Sequence, residues 1–92
     1  MTNDNEAISL FGESVSDILW NDWDPIGVSS FSNARDEYDA YVMPICRLLA
    51  ARPTEAAIHD ELVHLARDII GLDVVDPAST GTAAHKLYRL TV

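Results

Sequence analysis

The stretch PTEAAIHDELVHLARDIIG, residues 53–71, decides the fold class. Its apolar residues Ile58, Leu62, Leu65, Ala66 and Ile69 recur at steps of 4, 3, 1 and 3. At 3.6 residues per turn these side chains fall on one stripe, which is the pattern of a helix with one buried face. Both ends are marked. Thr54 is placed as an N-cap, Pro53 precedes it, and Glu55 sits in the first turn. Gly71 takes the left-handed position that ends a helix. The same period recurs on both sides of this segment, so the whole chain reads as helical.

Upstream, a second helix is expected from about Ala34 to Ala51, with Asn33 as its N-cap. Tyr38, Tyr41, Val42, Ile45, Leu48 and Leu49 form its apolar stripe. Pro44 lies inside that stripe and removes the bond to the carbonyl of Ala40. The helix therefore kinks or breaks there, and the continuous stripe favours a kink. Further back, Glu6 to Asn21 places Ile8, Phe11, Val15, Ile18 and Leu19 on one side and Glu6, Glu13 and Asp17 on the other. Leu10 and Trp20 are the exceptions and point to the acidic side. Downstream, Asp76 and Pro77 read as N-cap and first helical residue. Ser79, Thr80 and Gly81 are poor helix formers, so the dependable part of the fourth helix is about Thr82 to Leu90. Ala83, Ala84, Leu87 and Leu90 face inward. The apolar linker Leu72 to Val75 has no evident strand partner. The expectation is a single all-α domain over residues 1–92: a bundle of four helices, mainly antiparallel, with the second kinked at the proline and residues 1–5 flexible.

Charge is unevenly shared. Residues 1–45 hold nine acids and one base, net −8; residues 46–92 hold six acids and five bases, net −1; together they give the formal −9. Such a surface repels phosphate backbones and anionic bilayers, which disfavours nucleic acid and membrane as partners. No apolar run reaches the length of a membrane span, and the start MTNDNEAISL has no signal-peptide pattern. The single cysteine, Cys46, closes no disulfide within the chain, which suits a reducing cytoplasm. At the edge of the second helix's stripe it reads as a small buried hydrophobe.

Two stretches resemble metal motifs and fail on spacing. Counted from Asp22, a calcium loop finds Asp24 and Gly27 in place, but Ile26 and Asn33 occupy positions that need a ligating oxygen and a glutamate. Asp24-Pro25-Ile26-Gly27 instead suits a type I turn that stops the first helix. In His59-Asp60-Glu61-Leu62-Val63-His64 the histidines are five apart, about 140° around a helix, whereas a zinc helix needs i and i+4. Glu55/His59 and Asp60/His64 are the solvated i,i+4 neighbours there. No glycine-rich phosphate loop and no nucleophile–base arrangement stands out. No catalytic, metal or cofactor residue is assigned, and an enzyme is not the favoured reading.

What remains concerns binding. Trp20 beside Glu13 and Asp17 has the make-up of an anchor flanked by acids, suited to a basic partner; the alternative is that a loop or the fourth helix covers it. Trp23, Asp24, Asp36, Glu37 and Asp39 extend this candidate partner-binding set. Asp36, Glu37 and Asp39 also have a helix-start explanation, since acids favour the positive end of a helix.

Trp23-Asp24-Pro25-Ile26-Gly27-Val28, followed by Asp36-Glu37-Tyr38-Asp39-Ala40-Tyr41, resembles the YugE-like family of small bacterial proteins of unknown function. The likeness runs from about Ser16 to Leu72. It implies a compact helical domain from a bacterium and brings no catalytic residues. Trp23, Asp24, Tyr38 and Asp39 are carried over as a shared surface or a clasp between the first two helices. The leading expectation is a small acidic cytoplasmic module, immunity-type or regulatory, that binds a protein with a basic surface as a monomer or homodimer. The alternative is a small carboxylate- or metal-dependent hydrolase. A third possibility is a homo-oligomer built on Leu10, Trp20 or Met43.

Overall fold

The structure, a computed structural model, describes residues 4–24, 38–73 and 75–91, with the backbone alone for residues 4–8. The expected N-cap Asn33, the Asp24–Gly27 turn beyond Asp24, and Asp36 and Glu37 lie outside the described residues. Four α-helices are described, α1 (Asp4–Ile18), α2 (Asp39–Ala50), α3 (Glu55–His64) and α4 (Pro77–Arg89). No strand occurs among the described residues. The all-α four-helix bundle expected from the periodicity is the observed fold.

The caps set the helix starts. Thr54 Oγ1 accepts the Ala57 N–H at 3.1 Å, and Asp76 Oδ1 accepts that of Ala78 at 3.0 Å. Helix α4 begins at Pro77, ahead of the dependable part read from sequence. Capping, together with burial of Thr80, overrides the weak propensity of Ser79 to Gly81. Helix α2 passes through Pro44 without a break. Both Ala40 and Pro44 are exposed, so the proline lies on the solvent side of α2.

Two wide turns extend helices and change their phase. After α1, Leu19–Trp23 forms a π-helical turn, and the Asp24 N–H reaches back five residues to the Leu19 carbonyl at 2.9 Å. After α3, Leu65–Ile69 does the same, with Ile70 N–H on the Leu65 carbonyl at 2.9 Å. Each such turn takes in an extra residue, so the face pointing inward shifts. At the first turn Trp20, a candidate surface anchor, is instead 8% exposed and Trp23 1%; both belong to the core, where the Tyr38 ring lies against them and α4 packs against this turn. The second corrects Ile69, which is 57% exposed, while Ile70 packs against the core. Gly71, at φ +91°, then turns the chain so that the Leu72 N–H meets the Ala66 carbonyl at 2.9 Å. That positive φ is the terminator expected of glycine.

The ends of the helices show how they pair. Trp20 and Trp23 after α1 meet Tyr38 and Tyr41 at the start of α2, with ring centroids 5.7–6.4 Å apart. Glu55 at the start of α3 meets His85 near the end of α4 at 3.0 Å. Both pairs are therefore antiparallel. Val15, Leu19, Ile45, Leu49, Ile58, Leu62 and Leu87 are fully buried between them. Cys46 is buried too, and burial pushes its thiol pKa up. Two buried polar atoms, Trp23 Nε1 and Thr80 Oγ1, have no hydrogen-bond partner among the described residues.

Candidate binding surface

The residues expected to recognise a partner divide into three groups. Glu13 and Asp17 are exposed and sit one turn apart on the outer side of α1. Asp39 is exposed in the first turn of α2, at the end of the helix pair where α1 finishes. These three carry negative charge outward.

Trp20, Trp23 and Asp24 form the second group, and they clasp the fold from within. The Tyr38 hydroxyl donates to Asp24 Oδ1 at 2.6 Å, and the Tyr38 ring lies against both tryptophans. Asp24 itself has left-handed backbone geometry, φ 35° and ψ 58°, which aspartate tolerates better than most residues. The two separate motifs around Trp23 and Tyr38 thus meet in space. Asp24 ties the end of the first helix to the start of α2 through the tyrosine hydroxyl. The third group, Asp36 and Glu37, lies outside the described residues.

Several ionic pairings differ from the sequence expectation. Lys86 Nζ of α4 donates to Asp22 Oδ1 at 2.8 Å, which ties an acid of the first half to a base of the second. Glu55 pairs with His85 across helices rather than with His59. His64 Nδ1 lies 2.8 Å from Asp68, while His59 is 3.9 Å from Asp60. These are exposed pairs, each worth at most about 1 kcal/mol. No group of three or more potential metal-ligating side chains is found among the described residues.

A groove missed by sequence reading opens beside the middle of α1. Leu10 and Phe11 of α1 line it with Leu49 of α2, Arg52, Leu90 and Thr91. Leu10 is 70% exposed there. Its exposure was legible from the helical wheel. The groove was not, because its other walls come from the ends of two helices distant in sequence.

The class so defined is a small all-α domain of four helices. Comparison with protein-family models, curated proteins and solved structures finds no match for this chain. Among the described residues, no helix is long and apolar enough to cross a membrane.

Proposed function

We propose that this protein is a small acidic binding module that docks a protein partner with a basic surface, in an immunity-type or regulatory role in the bacterial cytoplasm. The observation that carries the reading is the net charge of −8 on residues 1–45, from which Glu13 on α1 and Asp39 at the start of α2 are exposed. Negative charge on a small folded body raises the local concentration of a cationic partner and orients its approach. The short range of screened electrostatics makes this effect strongest at low salt. The YugE-like motifs belong to the same reading as the internal clasp, Trp23 and Asp24 on Tyr38, which holds α1 and α2 in register behind the acidic face.

No catalytic step is assigned. The experiment that tests the reading is affinity capture from the native host with the wild-type protein and with a Glu13→Lys/Asp17→Lys/Asp39→Lys variant whose helical fold is verified by circular dichroism. A partner bearing a basic patch, retained by the wild type and lost by the variant, is expected. A partner held equally by both forms contradicts it.

A further inference from the structure

We propose that Met43 is a site of reversible oxidation, where a peroxide delivers one oxygen atom to the sulfur lone pair that Arg47 leaves uncovered. The inference is independent of any docked partner. It rests on which sulfur an oxidant can reach and on what touches that sulfur.

The described residues hold two sulfur atoms, three positions apart on α2, in Met43 and Cys46. Their surroundings differ. Cys46 is fully buried, and burial pushes its thiol pKa up. The thiolate is the form that attacks a peroxide, so Cys46 is shielded both by packing and by its proton. Met43 is 39% exposed, and a thioether carries its lone pairs at any pH. The usual order of sulfur reactivity, cysteine before methionine, is therefore reversed in the folded chain.

The second observation is the neighbour one helical turn on. Arg47 donates from Nη2 to Met43 Sδ at 3.2 Å. Residues at i and i+4 share a helix face, so the backbone brings the two side chains together. Arg47 makes a further interaction within the chain, which helps to fix where its guanidinium lies. A thioether sulfur has two lone pairs. The guanidinium N–H engages one of them, and the other diverges from it. Oxygen added to one or the other gives different epimers, because the sulfoxide sulfur is a stereocentre. Arg47 thus makes an exposed methionine stereoselective.

The step balances with the peroxide as sole co-reactant. The uncovered lone pair attacks one peroxide oxygen; a sulfur–oxygen bond forms and the oxygen–oxygen bond breaks. Hydroxide leaves and takes up the proton of the transferred oxygen, so one sulfoxide and one water result. Sulfur loses two electrons and the peroxide gains them. On α2 an exposed apolar group becomes polar, while the buried Ile45 and Leu49 are untouched. Separate reductases act on the two epimers, so a product of one configuration is reversed by one of them.

The test treats the folded wild type with hydrogen peroxide in stages, digests it, and follows Met43 and Cys46 by mass spectrometry. Portions of the digest are reduced with each of the two epimer-specific methionine sulfoxide reductases, which gives the epimer ratio. Oxygen is expected on Met43 before Cys46, with one epimer in excess by at least about threefold, the lower range of what one hydrogen bond contributes. Arg47→Gln, at an exposed site, and wild type oxidised in urea are each expected to give the two epimers in near-equal amounts. The urea sample needs no substitution, so the comparison stands whatever the variant does to folding. Equal epimers from the folded wild type overturn the proposal, as does an excess that persists in Arg47→Gln. Oxygen on Cys46 first overturns the choice of site.

Discussion

Replacing Trp20 by alanine separates a core side chain from a surface anchor, because the two assignments differ severalfold in cost. Trp20 is 8% exposed and its ring meets Tyr38 edge-on at 6.4 Å. A buried tryptophan removes roughly 150–250 Å² from water. At about 25 cal/mol per Å² this corresponds to about 4–6 kcal/mol. Allowing for a denatured chain that already covers part of that surface lowers the figure to about 3–4 kcal/mol. A domain of 92 residues has a total stability of only about 5–14 kcal/mol. Trp20→Ala is thus expected to remove a large share of it. Urea unfolding followed by far-ultraviolet circular dichroism gives the number; with a slope of about 1–1.5 kcal/mol per M, the midpoint falls by roughly 2–4 M. Leu10→Ala is the control on the same helix, with an expected change within about 0.5 kcal/mol. A Trp20→Ala cost below about 1 kcal/mol would refute the placement of Trp20 in the core.

Three further outcomes follow from single features. Gly71→Ala meets no atom within 4 Å, so its cost comes from the φ of +91° alone; a loss of about 1–2 kcal/mol in urea unfolding is expected. Thr80→Val removes a buried hydroxyl without a partner among the described residues and keeps the branched shape, so a gain of about 1 kcal/mol in the same assay is expected. Cys46 has its thiol pKa raised above the ordinary 9.0 by burial. The folded state therefore keeps its proton where the unfolded state loses it. The stabilisation is fully present below pH 9.0 and is lost as pH rises from there through the folded value. Cys46→Ala is expected to flatten that part of the stability profile, and native Cys46 to resist thiol reagents until the protein unfolds.

The fold was legible wherever helical period and capping act locally. Thr54, Gly71, Asp76 and Pro77 sit at the boundaries expected of them. Inward positions such as Val15, Ile45, Leu62 and Leu87 are buried as the 100° spacing requires. That spacing failed at Trp20 and Ile69, one in each wide turn. A turn that closes on the fifth residue has no local sequence signature comparable to a cap, and every position after it is displaced. The candidate surface was legible in part for the same reason. Glu13 and Asp17 lie on regular helix and point outward as expected. The tie between Asp22 and Lys86, the clasp of Tyr38 on Asp24 and the groove beside Leu10 join residues far apart in the chain. Helix periodicity carries no information about such meetings.

The claim that matters most is that a field from the α1 carboxylates draws in a basic partner. It is tested most directly by stopped-flow association of the wild-type protein with the captured partner across a range of ionic strength. The account predicts that the association rate constant falls about tenfold or more between about 20 and 500 mM salt, and that Glu13→Gln/Asp17→Asn lowers both the rate and its salt slope. A rate constant that ignores salt, or that is the same for the variant and the wild type, contradicts it.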